Sequence, residues 1–182
     1  MDFDTVKALG ILGAALMIAS VVLTPVSWLV GAVLVLLSLY YLGQAYGVRS
    51  IFDYALYGLI FAFVPAFLVP LMIVGFFGFM PMFMPMHMPG NWPFAPFAGF
   101  WILVFLVVFV MLVLSGFFFY RSMDVLASRS GVELFRVAGM LTLIGAATLI
   151  LFLLGFILIL ASWVILAVAF YSLKKPPSGV QV

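Results

Sequence analysis

The sequence predicts an all-α, polytopic integral membrane protein with about six transmembrane helices arranged as three hairpins. Of its 182 residues, 69% are hydrophobic and only 7% are charged, and the mean hydropathy is +1.45. A soluble domain needs a larger charged fraction to cover its surface, whereas lipid favours an apolar exterior. The net charge of +2, without a cluster of basic residues, argues against a nucleic-acid partner.

The first two predicted helices come from one apolar run, residues 8–42. A single helix of that length would reach ~50 Å at about 1.5 Å per residue, against a hydrocarbon core of ~30 Å. Pro25 disfavours helix at the residue before it, so the run is predicted to fold into a hairpin there. Helix 1 is therefore predicted over residues 7–23 and helix 2 over residues 26–42.

The middle of the chain predicts a second hairpin with a long connection. Helix 3 is predicted over residues 51–79, where Pro65 and Pro70 favour a kink. Helix 4 is predicted over residues 97–120. Residues 80–96 between them are rich in Met and Pro and are predicted to form a loop on the extracytoplasmic side.

The last apolar run, residues 134–173, is again too long for one crossing. Gly155 lies near its middle and is the predicted turn. Helix 5 is then expected over residues 134–154 and helix 6 over residues 156–173. Residues 174–182 are predicted to be a flexible cytoplasmic tail.

The charged residues test this topology independently. Under the six-span prediction all twelve fall on one side of the membrane: Asp2, Asp4, Lys7, Arg49, Asp53, Arg121, Asp124, Arg129, Glu133, Arg136, Lys174 and Lys175. The opposite loops carry no formal charge. Positively charged loops face the cytoplasm, so both termini are predicted to be cytoplasmic in a multi-pass protein of the cell membrane.

Two cytoplasmic segments fit the Ser-x-x-acid capping box. Ser50 with Asp53 is predicted to open helix 3, and Ser130 with Glu133 to open helix 5. Asp53 is interpreted as a helix cap and not as part of a proton pathway. Residues 121–133 are predicted to form a short amphipathic helix that lies on the membrane surface.

The two outer hairpins share a sequence pattern. Gly13-Ala14-Ala15 in helix 1 recurs as Gly145-Ala146-Ala147 in helix 5, in the same membrane orientation. This pattern predicts a parallel duplication of helical hairpins. Small residues at helical spacing also let helices approach closely, which favours packing inside the bundle or, alternatively, self-association.

One segment has unusual chemistry. Alternating methionines surround the only histidine of the chain, and the candidate ligands are Met80, Met82, Met84, Met86, His87 and Met88. Thioethers are soft ligands that suit Cu(I), and imidazole binds many transition metals, so copper is the cofactor this segment would hold. The alternative is an apolar lid or docking surface, because Met is also a flexible apolar filler.

A family resemblance rests on two stretches. One begins at Ser128-Arg129-Ser130-Gly131-Val132-Glu133-Leu134-Phe135 and continues to residues 167–173; the other is residues 40–58. Both resemble a family of small archaeal and bacterial integral membrane proteins known as domain of unknown function nine-nine-six. The resemblance implies a multi-span membrane fold and brings no activity or functional residues with it.

Three function classes remain open. The first is a non-catalytic accessory or structural subunit, docking on other membrane protein subunits in the lipid bilayer. The second is a Cu(I)-binding membrane protein, and the third is a small transporter or channel, which the scarcity of ionisable residues in the helices disfavours. An enzyme is not expected, because the sequence contains no recognisable nucleophile–base pair or metal triad.

Overall fold

The computed structural model describes residues 2–20, 25–79, 94–151 and 153–174. These residues are all-α, with six helices and one short 3₁₀ turn, Thr148–Leu151. The helices are α1 (Phe3–Ala19), α2 (Pro25–Ala45), α3 (Ser50–Phe79), α4 (Phe94–Ser130), α5 (Leu134–Ala147) and α6 (Leu153–Ser172).

Four helices are long and apolar enough to cross a membrane. The qualifying segments are Val26–Ala45 in α2, Ser50–Leu68 in α3, Gly99–Ser130 in α4 and Leu153–Ser172 in α6. The other two helices are shorter, with 17 residues in α1 and 14 residues in α5. The prediction of an all-α membrane protein is thus confirmed at the level of four long apolar helices.

The helices form a closed ring. Each packs against its neighbours in the chain, and α6 packs back against α1. At this closing contact the Phe170 ring occupies the space beside Gly10, and Lys7 Nζ donates to the Leu173 carbonyl at 3.4 Å. Only a glycine fits at residue 10, because an added Cβ would lie 2.5 Å from the Phe170 ring.

The tightly packed core lies at the end of the ring that carries the charges. Its fully buried side chains include Leu39 of α2, Ile51 of α3, Met123 of α4 and Phe135 of α5. The Phe135 ring meets Phe170 edge-on, with 5.2 Å between the ring centroids. At this end Arg136 Nε donates to Asp124 Oδ1 at 2.7 Å, and Tyr46 Oη donates to the Lys174 carbonyl at 3.4 Å.

The third hairpin turns earlier than expected. Residues 148–151 form the 3₁₀ turn and α6 begins at Leu153, so Gly155 lies inside α6 and not in the connection. The reason is packing: a Cβ on Gly155 would lie 2.6 Å from Leu149 Cα and 2.7 Å from the Gly145 carbonyl oxygen. Gly155 permits close helix approach, and the prediction that it breaks the helix was wrong.

The predicted surface helix over residues 121–133 was also wrong. Instead, α4 continues without a break through this segment to Ser130. Ser122, Met123, Leu126 and Ala127 are buried against the charged end of the ring, so this part of α4 is core and not a membrane-surface helix. The apolar face of this segment is buried against neighbouring helices, and so it is not the face that a surface helix would place in lipid.

The helix starts differ from the predicted capping boxes. Ser130 ends α4, its Oγ donating to the Leu126 carbonyl at 2.8 Å and accepting from Val132 N at 3.3 Å, so it does not cap α5. Glu133, the residue before α5, makes no side-chain capping bond. Asp53 does lie in the first turn of α3, as expected, with Oδ1 3.9 Å from Arg49 Nε.

Candidate functional site

The same hydrogen bond fastens all three hairpins. In each, a buried serine of the second helix donates to a carbonyl of the first: Ser38 to Val6 at 2.9 Å, Ser122 to Ile51 at 2.6 Å and Ser162 to Ala138 at 2.7 Å. A serine that bonds to a neighbouring helix satisfies its own hydroxyl inside the apolar ring. We call this arrangement the serine clasp.

Seven residues from each serine clasp, the first helix carries a glycine. These are Gly13, Gly58 and Gly145, which face Gly31, Ser115 and Gly155 of the second helices. Each facing residue lies seven positions before the clasp serine. The predicted duplication of the outer hairpins is thus one part of a threefold internal repeat that also includes α3 and α4.

The repeat surrounds a central cavity of about 310 Å³ to which all six helices contribute. Two sets of equivalent positions line it, one from the second helix of each hairpin: Ala32, Gly116 and Phe156, then Val35, Phe119 and Ile159. Because equivalent residues of three hairpins meet there, the cavity lies along the axis that relates the repeats. Trp28 and Trp163 also form part of its wall.

The cavity wall is almost entirely apolar, and its hydroxyl groups are already bonded. Ser115 Oγ donates to the Gly58 carbonyl at 2.8 Å. Thr142 Oγ1 lies 3.0 Å from the Ala138 carbonyl and 2.6 Å from Ser162 Oγ. Among the described residues, no ionisable side chain lines the cavity. The site therefore offers space and apolar contact, and not charge.

Three equivalent leucines occupy the charged side of the ring. Leu42, Leu126 and Leu166 each lie four residues past a clasp serine, and all three are fully buried in one cluster. Since helix positions four apart lie on the same face, these leucines follow the clasp serines toward the charged end. The cavity therefore has no open route to the charged end through this core.

The predicted Cu(I) ligands, residues 80–88, lie outside the described residues. Within residues 2–20, 25–79, 94–151 and 153–174, no group of three or more His, Cys, Asp or Glu is arranged to hold a metal ion. Sequence reasoning missed the central cavity. The signal available for it was the seven-residue spacing between a small residue and a serine in α2, α4 and α6.

The family comparison agrees with the resemblance in the sequence. The profile of a protein family of unknown function, DUF996, matches residues 27–164. The chain belongs to the DUF996 family. The matched region contains α3, α4, α5 and most of α2 and α6, and so includes the α3–α4 repeat completely and most of the α5–α6 repeat.

Among curated proteins, an uncharacterized protein of Methanocaldococcus jannaschii is 29% identical over 174 residues, which cover 95% of this chain and 94% of the relative. The similarity extends over nearly the whole of both chains, so it includes all three hairpins. No solved structure matches the chain.

Proposed function

We propose that this DUF996 protein is a non-catalytic integral membrane protein that docks as an accessory subunit onto a larger membrane complex. In the proposed topology six helices cross the cell membrane and both termini face the cytoplasm, because the charged residues group at one end. α1 is ~26 Å long, and α5 with its 3₁₀ turn ~29 Å, close to a ~30 Å hydrocarbon core.

The state of the polar groups supports a role without catalysis. The hydroxyls between the helices are bonded to helix carbonyls, as in the three serine clasps. The ion pairs of the described residues lie at the charged end and are partly exposed. A transporter or channel is the weaker alternative, because the central cavity is lined by no ionisable group.

The observation that carries the docking proposal is the length of the α3–α4 hairpin. A crossing needs about 20 residues, so counting from Asp53 along α3 it ends near residue 73. Counting from Arg121 along α4 it ends near residue 101. The helices continue to Phe79 and begin at Phe94, so both extend about 10 Å further, at ~1.5 Å per residue.

This far end of the α3–α4 hairpin, residues 74–79 and 94–100, is apolar. The whole stretch from residue 74 to residue 100 contains no Asp, Glu, Lys or Arg. Val74 and Phe100 are 71% and 58% exposed, although the next residue of each helix, Gly75 or Trp101, lies against the other helix. Apolar surface beyond the bilayer calls for a cover, and an apolar face of a partner subunit supplies one.

The test is native mass spectrometry after gentle extraction from the cell's own membranes. We expect the parent protein to be detected as part of a larger membrane assembly, in stoichiometric amount. Phe100→Ser should abolish this association, because it places a hydroxyl in the docking surface. Phe105→Ser is the matched control, since Phe105 is 52% exposed on the same helix but lies within the crossing.

Both serine variants must first show the helix content of the parent by circular dichroism. Loss of the assembly in Phe100→Ser alone supports docking through the far end of the hairpin. If both variants associated with the assembly to the same extent, this docking surface would be refuted. Recovery of the parent protein alone would refute the accessory role itself.

The Met-rich segment supports a second proposal, Cu(I) binding, on its sequence pattern alone. Five methionines at alternating positions with His87 provide a sufficient set of soft ligands. Competition with a chelator of known Cu(I) affinity is the test. Replacing the five methionines by leucine should remove binding, whereas unchanged affinity would exclude the segment as a copper site.

A further inference from the structure

The docking proposal leaves the central cavity unused, and the cavity has its own chemistry. We propose that it binds one hydrocarbon chain of a membrane lipid. This proposal is independent of the docking role, since the cavity lies within the ring and the docking surface lies at the far end of α3 and α4.

The chemistry of the wall selects an apolar occupant. The groups facing the cavity are mostly aliphatic and aromatic, and the two hydroxyls, of Ser115 and Thr142, are committed to helix carbonyls. A charged ligand would lose its hydration there without gaining an ionic partner. Apolar cavities in proteins stay free of water and accept apolar molecules, so hydrocarbon is the favoured occupant.

The dimensions fit a chain better than a compact molecule. Along α2 the lining extends from Trp28 to Leu39, which corresponds to about 16 Å at ~1.5 Å per residue. This is about half of the ~30 Å hydrocarbon core, the depth of one leaflet. A volume of about 310 Å³ spread over this length describes a narrow channel parallel to the helices.

The seam between α2 and α3 provides lateral access from the bilayer. It is the least extensive of the contacts between neighbouring helices. At the seam between α4 and α5, Gly139 lies against Tyr120, where an added Cβ would be 3.0 Å from Tyr120 Cα. The equivalent residue of α3 is Phe52, whose ring meets Tyr40 edge-on with 5.1 Å between the ring centroids, so a ring and not a glycine lies at this position of the α2–α3 seam.

The closed charged end fixes how a lipid would enter. Leu42, Leu126 and Leu166 are fully buried there, so a chain cannot pass through to the charged side. The described lining residues offer the headgroup no charged partner. A lipid therefore inserts one chain through the α2–α3 seam, while its headgroup stays at the bilayer surface.

The experiment measures contact between a lipid chain and Trp163 in the cavity wall. Trp28, Trp92 and Trp101 are replaced by Phe in the full chain, which leaves Trp163 as the fluorophore. The protein is reconstituted in vesicles of phosphatidylcholine that carries bromine atoms midway along one acyl chain. Bromine quenches indole fluorescence at short range, and we expect strong quenching of Trp163.

Cavity-filling variants separate this contact from quenching by the surrounding lipid. Ala62→Phe places a ring in the cavity and should remove most of the quenching. Ile60→Phe is the matched control, because Ile60 is 51% exposed and lies on the opposite side of α3 from Ala62, and it should leave quenching unchanged. If Ala62→Phe does not fold, Ala32→Phe fills the cavity from α2.

Two results would overturn the proposal. Equal quenching in Ala62→Phe and Ile60→Phe, or none in the parent, would mean that no lipid chain enters the cavity. Quenching of detergent-solubilised protein by 1-bromododecane, without quenching by the brominated lipid, would assign the cavity to free hydrocarbon instead. Quenching by the lipid that is lost only in the cavity-filling variant supports the assignment.

Discussion

The outer hairpins and the middle hairpin use the same serine clasp but differ beyond it. In α1–α2 and α5–α6 glycine faces glycine, and a Cβ on either residue would come within 3.1 Å of its partner's carbonyl oxygen. In α3–α4 the facing pair is Gly58 and Ser115, and a Cβ on Gly58 would lie 3.2 Å from the nearest backbone atom. The middle pair is therefore less tightly packed.

The hairpins also differ in reach. The outer hairpins turn within a few residues of Ala19 and Leu151, whereas α3 and α4 continue to Phe79 and from Phe94. The middle hairpin is thus longer than the other two, and it has Ser115 where they have a facing glycine. This difference teaches that three hairpins can share one clasp and still differ in the closeness of their helices and in their length.

The largest expected effect comes from adding a methyl group at the tight glycine contact. Gly13→Ala would place Cβ 2.8 Å from the Gly31 carbonyl oxygen, and overpacking against backbone should lower stability by about 2 kcal/mol. Gly58→Ala should lower the free energy of unfolding by about 1 kcal/mol, because the added Cβ would be farther from the backbone of α4. Thermal unfolding in one detergent, followed by circular dichroism, compares the two.

Gly99→Ala controls for helix propensity. Nothing lies within 4 Å of a Cβ at this position, so the change should stabilise α4 by about 0.5–1 kcal/mol. If Gly58→Ala proved as damaging as Gly13→Ala, the proposed difference between the middle and outer hairpins would be wrong.

The next effect, the loss of a serine clasp, tests whether the three hairpins are stabilised in the same way. Ser38→Ala, Ser122→Ala and Ser162→Ala each remove a buried bond between helices, and each should cost about 1 kcal/mol. Ser128→Ala is the control, since its hydroxyl is exposed and bonds within its own helix. If only one of the three substitutions lowered the free energy of unfolding, the three serine clasps would not contribute equally to stability.

A smaller effect is expected at the charged end. Asp124→Asn weakens the 2.7 Å contact with Arg136, a partly exposed pair that should contribute up to about 1 kcal/mol and less in high salt. Asp53→Asn serves for comparison, because its 3.9 Å contact with Arg49 is more exposed and should contribute almost nothing. Unfolding at low and high salt measures both.

The smallest effect concerns pH. Burial raises the pKa of Tyr46 above its ordinary value of 10.0. The folded protein therefore holds this proton more tightly than the unfolded chain, and the resulting stability is present below pH 10 and lost as the pH rises through the folded pKa. Tyr46→Phe should weaken this alkaline decline; an identical decline in both proteins would exclude Tyr46 as its source.

Much of the fold followed from the sequence, and the misses share a cause. The apolar runs predicted the helices, and the one-sided charges predicted the grouping of Lys7, Asp124 and Arg136 at one end. Gly155 was predicted as a turn and residues 121–133 as a surface helix. Both misses have the same origin. A glycine occurs both in turns and at close helix contacts, and an amphipathic segment occurs both on a membrane surface and in a packed interface.

The sequence by itself determined that the chain is apolar enough for lipid and that it is helical. With 69% hydrophobic residues, it can satisfy its backbone hydrogen bonds in lipid only as helices or as a closed barrel. Its apolar runs have the length of helices. Only the tertiary structure decided which small residues meet. Gly13 meets Gly31, and Gly58 meets Ser115, through contacts between helices, and the spacing of residues within one helix does not fix which residue of another helix it faces. The threefold repeat and its central cavity follow from those contacts, since they exist only when equivalent positions of three hairpins face one axis.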